Sequence, residues 1–422
     1  MASCRSSNNC LWWELDCGSE SKWSQALRQA TEDDAARGRA SAPVRIEECD
    51  LWKVLLHPRF PNVREKPDGS SKVRPVDNLS WAADGQGKGA STNGCAFAQD
   101  NVSHDSVDAL ASCMEVFKAS VGEVPGLWKA DVDAAFRRVP IHPDDRWSCA
   151  YAFKSEGQIL CSTHYACPFG AVGSVHAWER IGAAIAHIAR EYLKIPVLRY
   201  VDDFFAPERR GSMAHAMQCF AELVRMLLGP GAIADEKLEY GSSLVVLGVH
   251  VEASSKGYRF QPSRCKVEKW TEQIDLALSS RRLSPSDADV LSGRLAWSCS
   301  RMFKRFGRAM IRPIYDQKTR YDGVVSKDLE RALRWWKRVF GEGLCEVRQW
   351  AMSVQPPLHL FCDASGQDAR LGAVLYAQDR WWWTSMTTPP ELLACFKHRR
   401  DKQIMGLELL AISLGLHSFH WL

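Results

Sequence analysis

Tyr200-Val201-Asp202-Asp203, set between Pro196-Val-Leu-Arg199 and Phe204-Phe205, is the stretch that decides how this chain folds. Apolar segments flank the acids on both sides, so the two carboxylates fall at the tip of a strand–turn–strand hairpin. Neighbouring acids at such a tip repel each other and gain nothing from burial, so they require a counter-charge. A pair of divalent metal ions supplies one, and two-metal sites of this kind catalyse nucleotidyl transfer. Asp is also a common turn residue, and an isolated Asp-Asp is ordinarily a solvated turn. The surrounding motifs decide between these readings.

Upstream, Leu127-Trp-Lys-Ala-Asp131-Val-Asp133-Ala-Ala-Phe136-Arg-Arg-Val-Pro140 opens as a strand after Pro125-Gly126, with Asp131 near its exit. Between the acidic motifs, Pro168-Phe169-Gly170-Ala-Val-Gly-Ser174 turns into a helical stripe through Trp178, Ile181, Ile185 and Ile188. Strand with Asp, glycine turn into helix, then hairpin with Asp-Asp: this order resembles the palm of reverse transcriptases, the RNA-directed DNA polymerases of retroelements. Asp131 matches the first metal-binding aspartate, Pro168-Phe169-Gly170 the P-F-G turn, and Tyr200–Asp203 the Y-x-D-D box. Each motif alone is weak; together, in this order and spacing, they are specific. The resemblance covers roughly residues 55–422 and is strongest over 127–250.

The resemblance implies an α+β right-hand polymerase: fingers, a palm of antiparallel sheet and helices, a helical thumb, and a partial ribonuclease H-like α/β unit. It implies that Asp131 and Asp202 bridge two Mg²⁺ ions, with Mn²⁺ as a substitute and Asp203 as adjacent ligand or charge support; Asp133 ranks second to Asp131. Hard oxygen donors suit such ions. Lys237 is implied as the proton donor to pyrophosphate, and Val245-Val-Leu-Gly248-Val-His-Val251 as the strand pair that grips the primer. His57-Pro-Arg-Phe60 through Lys66–Gly69 to Lys72-Val-Arg74-Pro-Val-Asp77 matches the fingers hairpin, so Lys72 and Arg74 are expected on the triphosphate. Phe136 stands where the family places a ring beneath the sugar, favouring deoxynucleotides, and Phe169 and Gly170 would face the incoming nucleotide and template. The partners implied are an RNA or DNA template with primer, and deoxynucleoside triphosphates. Val175-His-Ala-Trp178-Glu-Arg180 and Arg137 depart from the common pattern and leave template contacts open.

Along the chain, residues 1–50 are polar and expected to be poorly ordered or a short helix; 51–125 read as fingers, 126–260 as palm with part of the fingers at 141–170, and 261–350 as a helical thumb and connection. Helices are expected near Asp105–Ala119, after Gly211-Ser212, from Ser284-Pro285-Ser-Asp287, and from Ser326. Residues 355–422 resemble the front of a ribonuclease H domain, with Asp363 and Glu408 matching its first two metal-binding acids. A further strand and catalytic Asp of that fold do not follow, so ribonuclease H activity is not expected from these residues.

Composition narrows the classes further. With 54 Lys and Arg against 50 Asp and Glu, the net charge of +4 does not announce a nucleic-acid binder, although a local basic groove needs no large net charge. Arg281-Arg282, Lys304-Arg305 with Arg308 and Arg312, and Lys397-His-Arg-Arg400 are candidates for one, though such clusters are more often simply a solvated helix face or loop. The 15 cysteines lack C-x-x-C pairs, and no apolar leader or bilayer-length run occurs, so an intracellular location, cytoplasm or nucleus, with no membrane partner is expected. Gly85-Gln-Gly87-Lys-Gly89-Ala-Ser91 lacks phosphate-loop spacing and reads as a loop. Two rivals remain: an RNA-directed RNA polymerase, which Phe136 and the ribonuclease H-like segment oppose, and a non-catalytic nucleic-acid-binding remnant, which the intact Asp131, Asp202 and Asp203 oppose.

Overall fold

The computed structural model describes residues 2–420 apart from 66–69, 84–90, 99, 302–306, 321, 343–346, 351–357, 378 and 397–402. Lys66–Gly69, Gly85–Gly89, Lys304-Arg305 and Lys397–Arg400, singled out above, lie outside the described residues. The chain divides into two compact units, Met1–Trp350 and Ala351–Leu422.

The stretch expected to be poorly ordered or a short helix begins the first unit with two helices, α1 (Ala2–Cys17) and α2 (Ser24–Ala36). A few apolar anchors suffice to hold them, Leu11 packing with Ile46, Leu56 and Ala150, and Leu27 with Tyr151 and Phe153. Strands β1 (Val44–Arg45), β2 (Leu56–Glu65) and β3 (Ser71–Asp77) come next. After helix α3 (Val107–Val121) and strand β4 (Gly126–Asp131) come β5 (Ala150–Ser155) and β6 (Gln158–Thr163). Among the described residues, one sheet runs in the order β1-β6-β5-β2-β3, and α1 and α2 lie on it.

Helix α4 (Val172–Tyr192), strands β7 (Leu198–Tyr200) and β8 (Asp203–Glu208), helix α5 (Met213–Leu228) and strand β9 (Glu239–Gly241) complete the layer that carries the acids. Its sheet is antiparallel throughout, in the order β7-β8-β4-β9. Strand alternation sends Trp128, Ala130 and Phe204 to one face, where Trp178 and Ile185 of α4 and Phe220 and Val224 of α5 cover them. Leu127 and Phe205 take the other face, under Leu110 and Met114 of α3. Both faces are covered near the strand centres, so the strands are mostly apolar, and the mid-strand cations are paired, Lys129 of β4 with Glu239 and Arg199 of β7 with Glu179.

A meander of β10 (Ser243–Val246), β11 (Val249–Ser254) and β12 (Gly257–Pro262) follows. Its first turn puts Leu247 and Gly248 both at positive φ, 49° and 74°, the two-residue geometry that favours glycine. Helices α6 (Arg264–Ser280), α7 (Pro285–Arg301), α8 (Arg308–Gln317) and α9 (Lys327–Gly341) then pack around Ile274, Leu291, Leu295, Ile314, Leu333 and Trp336. The expected cap forms: the Asp287 amide donates to Ser284 Oγ at 3.1 Å, and the hydroxyl donates to the Asp287 carboxylate at 2.6 Å.

The second unit is a meander of β13 (His359–Ala364), β14 (Arg370–Ala377) and β15 (Arg380–Thr387), with α10 (Pro390–Ala394) and α11 (Ile404–Ser418). Leu371, Leu407 and Ala411 centre its core, with Cys362 and Ala364 packed against them. Among the described residues no helix is long and apolar enough to cross a membrane.

Candidate active site

Antiparallel pairing of β4 with β8 sets Asp131 directly opposite Asp203, and pairing of β7 with β8 sets Tyr200 opposite Asp203. Opposed residues share a sheet face, so these two carboxylates lie together beyond the covered part of the strands. Asp202 stands next to them at the tip. That tip is strained: Val201, β-branched, sits at a φ of 56°. Its carbonyl is held by two donors, the Trp178 indole at 2.8 Å and Arg199 Nη1 at 3.2 Å, while the Asp202 carbonyl accepts from the Val132 amide at 3.1 Å. Arg199 is itself buried and ion-paired to Glu179. The sequence marks Trp178 as one residue of an apolar stripe; its hydrogen bond to the acidic turn is a second role that spacing does not reveal.

Burial, and then the Asp131 charge, pushes the Asp202 carboxyl above its ordinary value. Burial, followed by the charges of Asp202 and Asp131, pushes Asp203 up to about 6. Burial lowers the Lys237 ammonium, but the hydrogen bond and charge of Asp131 and the charge of Asp133 outweigh it and leave the ammonium raised. Lys237 Nζ lies 2.9 Å from Asp131 Oδ2 and 3.4 Å from Asp133 Oδ1. Asp133 is past the end of β4, its amide donating to the Ala232 carbonyl at 2.8 Å, so it reaches Lys237 rather than the opposed pair.

Three crowded carboxylates, two of them with raised pKa, are hard-oxygen donors short of positive charge, which is the donor chemistry that a Mg²⁺-type ion fits. Among the described residues no three acidic, His or Cys side chains already converge as a ligand group, since the Asp131 carboxylate turns to Lys237. A raised folded-state pKa means that the folded chain binds the proton more tightly than the unfolded one. Stability from Asp203 is therefore lost as pH rises from 3.8 towards about 6. Asp203→Asn is expected to stabilise the apoprotein at pH 7 by about 1–2 kcal/mol, the shift being discounted for solvent exposure. Thermal unfolding at pH 7 and pH 4 tests this: the gain should shrink markedly at the lower pH, and a mutant less stable than wild type at pH 7 contradicts it.

On the neighbouring sheet, Lys72 and Arg74 stand exposed on β3, with Arg64 across from Lys72 and Asn62 across from Arg74. Arg59, from the same hairpin, is buried on Asp77 instead. Phe136 sits on a 3₁₀ turn, Ala135–Arg138, and its ring meets that of Phe169 edge-on at 5.2 Å. Phe169 is 53% exposed, which leaves the ring pair a free surface. Gly170 has a φ of 96°, and a Cβ there would lie 3.1 Å from the Asp77 carbonyl, so the P-F-G turn abuts the end of β3. Asn93 clamps this turn from both sides, donating to the Gly170 carbonyl at 2.8 Å and accepting from the Val172 amide at 2.9 Å. No motif points to Asn93.

In the second unit, Asp363 alternates with Cys362 and Ala364, which pack with Leu407 and Ala411 of α11. Asp363 thus faces away from the helix bearing Glu408, and both acids are exposed.

The chain is of mixed α+β class, and its antiparallel sheet presents opposed aspartates. No protein-family model and no curated protein matches it. Solved structures do. The foamy viral protease-reverse transcriptase in complex with RNA/DNA hybrid is 15% identical, with a TM-score of 0.57 over 95% of this chain and 47% of that one. The dRH form of that protein in complex with ds DNA gives 15%, a TM-score of 0.54, and coverage of 94% and 62%. Its complex with dsDNA gives 15%, 0.52, and 94% and 74%. This chain spans about half the length of the first of these structures. At such identity the likeness establishes a reverse-transcriptase-like fold.

Proposed function

We propose that the chain is an RNA-directed DNA polymerase that adds deoxynucleotides to a primer 3′-end by two-metal-ion nucleotidyl transfer. The observation that carries this is the opposed Asp131–Asp203 pair with Asp202 beside it on a strained, doubly anchored turn. Residues 51–125 and 141–170 are then fingers, with α1 and α2 packed on them; 126–260 are palm, and 261–350 thumb and connection. Residues 355–422 are a ribonuclease H-like unit. Neighbours of this fold carry an RNA/DNA hybrid or double-stranded DNA, which supports a template–primer as the ligand.

Asp131, Asp202 and Asp203 would hold Mg²⁺, or Mn²⁺ in its place. Such ions acidify the primer hydroxyl and stabilise the leaving pyrophosphate. The primer 3′-oxygen forms a bond to the α-phosphorus as the bond to pyrophosphate breaks. Lys72 and Arg74 neutralise the triphosphate. Lys237, an ammonium beside Asp131, supplies positive charge and a proton for the leaving group. Phe136 blocks a 2′-hydroxyl, with Phe169 and Gly170 against the incoming base pair.

Extension of a DNA primer on an RNA template with Mg²⁺ and deoxynucleotides tests the reading. Extension that EDTA abolishes is expected; template binding without extension would instead establish the non-catalytic remnant. Phe136→Ala is expected to lower the preference for deoxynucleotides over ribonucleotides by about tenfold or more, the range a shape-excluding pocket commands. Unchanged preference would remove Phe136 from the sugar site.

A further inference from the structure

A largely buried network of charges outside the carboxylate cluster joins helix α2 to both halves of the nucleotide site. Arg59 donates from Nε and Nη2 to the two oxygens of Asp77, at 2.7 and 3.0 Å, and from Nη1 to Thr31 Oγ1 of α2 at 2.8 Å. The other Asp77 neighbour is His164, whose Nε2 is 2.9 Å away; His164 Nδ1 is 3.0 Å from Arg137 Nη1. Arginine can only donate, so Nδ1 accepts and Nε2–H donates to Asp77, which fixes a neutral imidazole in one tautomer. Arg137 spends the rest of its fork on the Ala166 carbonyl at 2.7 Å, the Arg39 carbonyl at 3.3 Å and Asp34 Oδ2 of α2 at 2.9 Å. Two arginines and two aspartates then balance.

This network is placed where nucleotide choice would be made. Arg137 follows Phe136 in the same 3₁₀ turn, so clamping the guanidinium sets where the Phe136 ring meets Phe169. Asp77 ends the strand bearing Lys72 and Arg74, and its carbonyl lies 3.1 Å from where a Cβ on Gly170 would stand. We propose that Asp34, acting through Arg137, is a positioning residue for nucleotide selection, so that helix α2 is part of the selectivity apparatus; this rests on the polymerase reading above. Mere fold support would affect both nucleotide types alike.

The test measures kcat/KM for one deoxynucleotide and its matching ribonucleotide on a fixed RNA template–primer, using wild type, Asp34→Asn, Asp34→Glu and Phe136→Ala. Asp34→Asn is expected to raise the deoxynucleotide KM and to lower the selectivity ratio roughly tenfold, as a misplaced contact does. Asp34→Glu, which keeps the charge, is expected to restore most of it. Should Asp34→Asn not fold, Arg137→Lys, which keeps the charge and loses the fork, carries the same expectation. A ratio unchanged within about twofold in a folded variant, with Phe136→Ala still losing selectivity, overturns the proposal alone. Absence of extension by wild type, or no effect of Phe136→Ala, overturns the underlying site reading and the proposal with it.

Discussion

Asp202→Asn is expected to lower Mg²⁺-dependent primer extension by about a thousandfold or more while leaving the protein at least as stable as wild type. Losing a charged ligand from a two-metal site removes several kcal/mol of transition-state stabilisation, and each 1.36 kcal/mol is about tenfold in rate. Asn keeps the shape of the side chain and its place on the turn anchored by Trp178 and Val132. The wild-type carboxylate is disfavoured by burial and by Asp131, so neutralising it relieves repulsion. Activity and stability therefore move in opposite directions, as expected of a functional group kept at a structural cost. Single-turnover extension with saturating template–primer, beside thermal unfolding, checks both. Asp133→Asn is expected to cost less and to act through Lys237, because its carboxylate engages Lys237 at 3.4 Å and Arg138 at 4.0 Å rather than the opposed pair. An Asp202→Asn rate within tenfold of wild type would remove this carboxylate from the chemistry.

The acidic turn was legible because its signal is local. Two short apolar runs force a hairpin, and the carboxylates have nowhere to lie but its tip. The helices starting at Ser284 and Ser326 were legible for the same reason, each N-cap acting within one turn, and the one near Asp105–Ala119 was legible from its apolar stripe. What holds the site was not legible. Asp34 and Arg137 are 103 residues apart, and Asn93 and Gly170 are 77 apart; nothing in a single sequence pairs residues at such separations. Arg137 stood out only as a departure from the common pattern. Before residue 50 the sequence left poor order and a short helix as alternatives, because the apolar residues that decide it, Leu11, Leu27 and Ile46, are few and pack on strands far along the chain. The positive φ of Val201 runs against local propensity and is held by Trp178 of α4 together with Arg199, two residues before it.

Asp77→Ala is expected to destabilise the protein by about 3–5 kcal/mol, the cost of leaving a buried cation without its partner. Arg59 is 5% exposed, lies 3.6 Å over the Tyr151 ring and has Asp77 as its ion-pair partner. Burial alone would raise the Asp77 carboxyl, yet the charge and hydrogen bonds of Arg59, then those of His164, hold it well below the usual carboxylate range. A depressed folded-state pKa contributes stability that is full above the ordinary value of 3.8 and fades as pH falls below it. The gap between wild type and Asp77→Ala should therefore be widest at neutral pH and shrink in acid. Denaturant midpoints at constant slope measure that gap. Removing both charges, in Arg59→Met with Asp77→Leu, is expected to cost less than Asp77→Ala, because no orphaned cation remains. If the double variant is the weaker of the two, the pair contributes through packing on Tyr151 rather than through charge, and Asp77 holds β3 against the Gly170 turn by shape alone.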